Sequence, residues 1–267
     1  MTCDRFLTRL ASEEACLVTV QATRGSVPRE VGAWMAVFSA DMLGSIGGGH
    51  LEFQALSEAR RRLSGCAGES LVRYTLGPAL GQCCGGEVQL RFERVAGADI
   101  AALRTRLTLS RTPLTLFGGG HVGQALVQVF ASLPLQVNWI DSRDSIFPEQ
   151  LPSNVTAEHS DPVQAAVPHL VPDSRVLIMS FSHAEDLELV AACLLRQRRQ
   201  ADLPYVGLIG SKTKWASFSN RLLARGFTPE ELAHVTCPIG VVGISGKAPE
   251  VIAVAVAAQI LQTLPQA

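Results

Sequence analysis

The sequence has no long apolar run, no excess of either charge and no paired cysteine spacing, and each absence removes a class of function. The longest uninterrupted apolar stretch, residues 251–258, falls well short of the ~20 residues a membrane-spanning helix needs. The opening MTCDRFLTRL has no apolar segment of signal-peptide length, so a cytoplasmic protein without a membrane role is expected. Lys and Arg number 23 against 24 Asp and Glu, a formal net charge of -1, which supplies no basic field for a nucleic-acid backbone. The short Arg runs at 60–62 and 196–199 read as solvated helix faces or ends. Seven cysteines, at positions 3, 16, 66, 83, 84, 193 and 237, are odd in number and scattered, which argues against a disulfide framework. No Cys-x-x-Cys pair exists, so a structural zinc site is not expected. What remains, 47% hydrophobic and 18% charged residues with 6% aromatics, is the composition of a folded protein with a core rather than a disordered one.

Apolar runs and helix-period segments alternate from residue 111 onward, the pattern of a mainly parallel sheet with crossover helices. Strands are expected at 113–117, 136–140, 176–181 and 205–209, and helices at 122–133, 187–196 and 249–264. The first 110 residues read differently, with strand-like runs at 16–21, 33–38, 72–76 and 87–95 broken by glycine clusters and one clear helix at 50–63. Val88, Leu90 and Phe92 alternate with Gln89, Arg91 and Glu93, so that strand has one buried and one wet face. In the helix, Leu51, Ala55, Leu56, Ala59 and Leu63 form one apolar stripe. The expected fold class is therefore α/β: a small mixed α/β domain over 1–108, then a Rossmann-like, mainly parallel domain over 109–267. The seam falls within 96–112, a stretch compatible with a helix.

Gly118-x-Gly120-x-x-Gly123 follows one expected strand and opens a helix, the context this otherwise weak motif requires. Glycines there permit a tight turn and close backbone approach, so that amides at the helix N-terminus can face phosphate. Asp141 closes the second strand, near the offset at which an acid accepts ribose hydroxyls. The alternative is that the glycines only pack a strand on a helix. Arg143 follows Asp141 closely and could meet an extra phosphate, but a surface Arg beside Asp144 is the commoner explanation. Ser182-x-x-Glu185 scans as a capping box, and His183 between them lies at the carboxyl end of a strand, where open α/β sheets bind ligands. Gly243-Ile-Ser-Gly246-Lys247 lacks the spacing of a phosphate loop. Lys247 is still a candidate anion contact, against the alternative of a solvated lysine.

Two loops of the first domain stand out, Gly44-Ser-Ile-Gly-Gly-Gly-His-Leu-Glu52 and Gly81-Gln-Cys-Cys-Gly-Gly-Glu87. Ordering Gly47, Gly48 and Gly49 costs roughly 1 kcal/mol each relative to alanine, so a physical reason for them is expected. They precede a helix whose exposed amides can hold an oxyanion, while Glu52 in the first turn can complement the dipole instead. Cys83 and Cys84 are adjacent, which points their side chains apart. A thiolate suits soft metals and can carry sulfur; the bland alternative is a pair of small buried hydrophobes.

These segments, with Gly25-Ser-Val-Pro-Arg-Glu-Val-Gly32, Leu116-Phe-Gly-Gly-Gly-His-Val-Gly123, Tyr205-Val-Gly-Leu-Ile-Gly-Ser-Lys212 and Cys237-Pro-Ile-Gly240, together resemble the XdhC/CoxI family from near residue 15 to near residue 260. The resemblance implies an accessory factor with no assigned turnover. Such a factor binds molybdenum cofactor, supports its sulfuration with a cysteine desulfurase and inserts it into an apo molybdenum hydroxylase such as xanthine dehydrogenase. It points to Gly47, Gly48, Gly49, Glu52, Gln82, Cys83, Cys84, Gly85, Gly86 and Lys247 as cofactor contacts, with Cys83 and Cys84 nearest the molybdenum or its sulfur. Gly118, Gly120, Gly123, Asp141 and His183 would hold a nucleotide or NAD(P). A homodimer is expected on general grounds. The alternative is an NAD(P)-dependent oxidoreductase built on the second domain, which leaves the Cys-Cys loop without a role.

Overall fold

Strand β1 (Ala15–Arg24) is apolar on both sides, and that organises the first half of the chain. In the computed structural model, which describes residues 2–77, 85–107 and 111–265, the chain divides into two units, Met1–Thr108 and Leu109–Ala267. In the first, β1 is the centre of an antiparallel sheet with β2 (Trp34–Val37), β3 (Met42–Gly44), β4 (Leu71–Thr75) and β5 (Glu87–Val95), in the order β3-β2-β1-β5-β4. Cys16, Val18 and Val20 face helix α2 (Gly49–Leu63) and pack with its Leu51, Ala55 and Ala59. Ala15 and Leu17 face the other way, toward Phe6, Leu7 and Leu10 of α1 (Thr2–Leu10) and Leu103 and Leu107 of α3 (Ile100–Leu107). Burying a side chain such as Leu17 or Leu51 stabilises by roughly 1.5–3 kcal/mol, so a sheet covered on both faces supports a unit of this size.

One clear helix was expected in this unit, with a seam compatible with another, and three α-helices form among the described residues. The signal of α1 is short, with three buried residues among nine. Helix α3 falls within the stretch that marked the seam. Strand β5 keeps the expected alternation, with Val88, Leu90 and Phe92 buried. It pairs antiparallel with β4 from Leu71↔Arg91 to Thr75↔Glu87.

The second unit is a six-stranded parallel sheet: β6 (Thr112–Phe117), β7 (Leu135–Asp141), β8 (Val155–His159), β9 (Arg175–Ile178), β10 (Tyr205–Leu208) and β11 (Val235–Thr236). Its spatial order is β8-β7-β6-β9-β10-β11, so the chain reverses direction across the sheet between β6 and β9. That is the doubly wound Rossmann order, whose ligand crevice lies at the carboxyl ends of the strands at this switch point. Helices α4 (His121–Phe130) and α8 (Pro249–Gln262) cover one face. Helices α5 (His183–Gln200), α6 (Lys212–Ala224) and α7 (Pro229–Leu232) cover the other.

The α/β class with a Rossmann-like second half is thus the observed one. The differences have local causes. Strand β9 stops at Ile178 rather than reaching Phe181, whose side chain stands 65% exposed. Strand β8 was missed because it is an edge strand with one buried residue in five and carries no apolar run. Helix α6 was missed because only Phe218 and Leu222 are buried in its thirteen residues. Among the described residues no helix is long and apolar enough to cross a membrane.

Candidate functional site

Close backbone approach brings three loops of the first unit together. Gly47, at φ 123°, lies against Pro28, and a Cβ there would meet the proline ring at 2.5 Å. This seats the 44–49 loop on the 25–32 loop. Gly86 lies against the carbonyl oxygens of Arg24 and Ser26, the first 2.7 Å from where its Cβ would stand, and Leu76 N donates to Gly86 O at 2.8 Å. The base of the 76–86 connection is thereby held beside Gly25. Gln82, Cys83 and Cys84 lie outside the described residues; Gly85 is exposed and Gly86 buried.

Glu52 sits inside this convergence. Its Oε2 accepts from Ser45 Oγ at 2.6 Å and from the amides of Ile46 and Gly48 at 3.1 Å each. The carboxylate therefore fills part of the amide nest that an external oxyanion would use. No side chain caps α2 at Gly48, so the amides of its first turn point outward without intrahelical partners. His50 and Phe53 are exposed at the same end, their rings 6.2 Å apart.

In the second unit the three fingerprint glycines do different things. Gly118, at φ 122°, presses on the Met179 carbonyl, and a Cβ on either Gly118 or Gly123 would overlap backbone oxygen. Gly120 borders open space at the uncapped N-terminus of α4. Two glycines thus pack the turn and the third leaves room at the amides, the division of labour a phosphate-binding turn needs. Trp139 Nε1 donates to Gly118 O at 2.9 Å and fixes the loop from beneath.

Asp141 ends β7 with its side chain 1% exposed. Its Oδ2 accepts from Gly119 N at 2.6 Å and Arg143 Nη2 at 2.8 Å, and its Oδ1 from Arg143 N at 2.9 Å and Arg143 Nε at 2.8 Å. Burial pushes this carboxyl up, but the Arg143 guanidinium and the Gly119 and Arg143 amides outweigh it and hold the pKa below the ordinary value. Arg143 lies over the Phe181 ring, 4.6 Å from its centroid. Ser182 caps α5 by accepting from Glu185 N at 3.2 Å, yet the Glu185 carboxylate does not close the box. It accepts instead from Phe181 N at 3.2 Å and Ser142 Oγ at 2.7 Å.

The model of the XdhC Rossmann domain matches residues 114–260, and that of the XdhC and CoxI family matches residues 9–75. The chain belongs to the XdhC and CoxI family. A curated relative, "Uncharacterized protein YqeB" of Escherichia coli (strain K12), is 30% identical over 250 residues, 90% of this chain and 42% of the relative. The chain therefore spans about two fifths of that protein's length. A solved structure described as a xanthine dehydrogenase from Bacillus halodurans superposes with a TM-score of 0.78. At 20% identity, over 98% of this chain and 96% of that one, it shows a shared fold.

Within this XdhC-family chain the remaining candidates are dispersed. His183 is exposed at the first turn of α5, its ring 6.3 Å from that of Phe218. Lys247 is exposed just before α8 and forms no ion pair among the described residues. Among the described residues no group of three or more His, Cys, Asp or Glu could hold a metal ion. Burial pushes the Cys16 thiol up to about 11 and that of Cys193 up to about 12, so both behave as buried hydrophobes rather than nucleophiles. Sequence reasoning missed the buried pair of Lys214 and Asp186, 2.6 Å apart. Lys214 Nζ also donates to Ile209 O, and Asp186 accepts from Ser180 N and Oγ. This pair ties the loops after β9 and β10, and no spacing pattern announces it. Arg143 had a signal in its place two residues after a strand-ending acid.

Proposed function

We propose that this XdhC-family chain acts in the maturation of a xanthine dehydrogenase-type molybdenum hydroxylase: it binds molybdenum cofactor, supports its sulfuration together with a cysteine desulfurase, and inserts it into the apo-enzyme. The observation that carries this reading is the seating of the 44–49 loop, which opens the uncapped end of α2, on Pro28, with Gly86 packed on Arg24 and Ser26. Molybdenum cofactor is a pterin with a dithiolene and a phosphate, and when bound it supplies the metal centre that the hydroxylase requires. The described residues fit its phosphate end. Backbone amides at Gly49 and His50 meet the dipole of a fifteen-residue helix, Glu52 already holds the Gly48 amide, and Gly48 leaves open space beside them. The metal arrives with its own sulfur ligands, so the absence of a three-residue metal cluster among the described residues does not conflict with the fit.

In this reading Gly47, Gly48, Gly49, Gly85, Gly86 and Gln82 line the pterin site, and Cys83 and Cys84 provide soft sulfur near the metal. Glu52 holds the loop in shape, and Lys247 is an anion contact within the second unit, just before α8. Gly118, Gly120, Gly123 and His183 border a second ligand position whose open amides suit a phosphate group, with Asp141 at its edge. The partners are the apo-hydroxylase, the desulfurase and a second copy of the chain, in the cytoplasm.

The test is the molybdenum and pterin content of the full chain isolated from a cofactor-producing host, followed by titration of the emptied protein with the cofactor. Retention is expected, together with faster reconstitution of an apo-hydroxylase, and Cys83→Ala or Cys84→Ala is expected to reduce both. A folded wild-type chain that retains no pterin at saturation would end this reading.

A further inference from the structure

An ionised carboxylate has lone-pair room for about four hydrogen bonds. Asp141 already has that many, from Gly119 N and from Arg143 N, Nε and Nη2, all between 2.6 and 2.9 Å. A Rossmann acid at the end of the second strand recognises a nucleotide by accepting from its ribose hydroxyls. Here no acceptor site is left for them. The guanidinium that takes up the carboxylate is itself fixed, bidentate to Asp141 on one side and stacked on Phe181 on the other. Phe181 is in turn positioned by Glu185, whose carboxylate accepts from Phe181 N and from Ser142 Oγ, linking the segment after β7 to the segment after β9. Those two strands flank β6 on either side, so the bridge crosses the place where the ribose of a nucleotide seated on the Gly118 turn would lie.

We infer that Arg143 is a specificity-determining residue that excludes diol-anchored dinucleotides from this crevice, with Asp141 as its positioning residue rather than a ribose contact. The corner is no phosphate receptor either. Asp141 and Glu185 both lie near Arg143, so the cluster does not carry the net positive charge that would draw a second phosphate. The crevice accordingly takes ligands through the open amides at Gly120 and not through a ribose diol. The inference rests on reading the crevice as a ligand site and is independent of what the first unit holds.

The experiment is a gain of function. Arg143→Met keeps an apolar chain over Phe181 and frees two acceptor positions on Asp141, leaving those bound to Gly119 N and Arg143 N in place. The variant in the full chain is expected to bind NADH, followed by fluorescence, about tenfold or more tighter than wild type, the scale of two hydrogen bonds to a charged acceptor. It should gain ADP binding by calorimetry but not binding of 2′-deoxy-ADP, because the gain depends on the diol. Arg143→Met/Asp141→Asn should lose it again. Circular dichroism checks the fold, and Arg143→Gln serves as a second variant if the first is unstable. Wild type that binds NADH as tightly as the variants would overturn the inference, as would folded variants that gain nothing or gain equally for the 2′-deoxy analogue. Each of these outcomes leaves a positive pterin titration untouched, and a failed titration leaves this test untouched.

Discussion

The two glycine loops of this protein both have a carboxylate on their amides, but the acids come from different distances and keep different company. Glu52 reaches back four residues to Gly48 N and seven to Ser45 Oγ, from within the helix that the loop opens. Asp141 comes from the neighbouring strand, 22 residues from the Gly119 amide it accepts, and carries Arg143 on both oxygens. Among the described residues no cation pairs with Glu52. A ligand anion can therefore take the place of Glu52 without stranding a partner charge, whereas displacing Asp141 would leave a guanidinium unpaired. One loop is a nest with a removable occupant and the other is closed by a fixed pair. The same motif chemistry, glycines before a helix, thus predicts an exchangeable site in the first unit and a restricted one in the second.

The sharpest way to break this comparison is to add one methyl group to each loop. Gly118→Ala drives a Cβ into the Met179 carbonyl at a positive φ, and a loss of at least about 3 kcal/mol in denaturant unfolding is expected. Gly48→Ala meets nothing within 4 Å and should lose only the strain of a backbone at φ 73° and ψ -167°, a region nearly confined to glycine, about 1–3 kcal/mol. Equal losses would remove the distinction between a packed turn and an open nest. Next in size, Glu52→Ala deletes an acceptor for Ser45, Ile46 and Gly48, with an expected loss of about 2 kcal/mol. Added phosphate should recover part of that loss in a thermal melt if the nest is exchangeable, and recovery in the wild type alone would contradict it.

The smallest effect is in acid. The folded pKa of Asp141 is lowered, so its contribution is fully present above the unfolded carboxylate range near ~4 and is lost as the pH falls through the folded value. Asp141→Asn should therefore be less stable than wild type near neutrality, and the gap should close on acidification. Because Arg143 is 34% exposed, solvent screening keeps that gap below about 1 kcal/mol. A gap that widens in acid would mean that Asp141 is not held ionised by Arg143.

Much of this could be read before any coordinates. The turn at Gly118, Gly120 and Gly123 follows a strand and opens a helix as its context implied, and the alternation in β5 survives residue by residue. The Glu52 alternative was legible because an acid in the first turn acts on its own helix. Arg143 read as a surface residue, since only the fold shows Asp141 turning back onto it. Helix α6 and edge strand β8 escaped because each buries too little to leave a periodic signal.

Sequence alone determined the α/β class, four strands and three helices of the second half, and the two glycine loops as places that need a physical reason. These follow from periodicity and from residues whose backbone freedom has few other uses. Only the tertiary structure decided which donors reach which acids: that Gly86 packs on Ser26, that Lys214 reaches Asp186 across 28 residues, and that Arg143 occupies the Asp141 carboxylate. Hydrogen bonds are directional and act over about 3 Å, so their partners are fixed by how strands stack and loops turn, and local spacing carries no record of that.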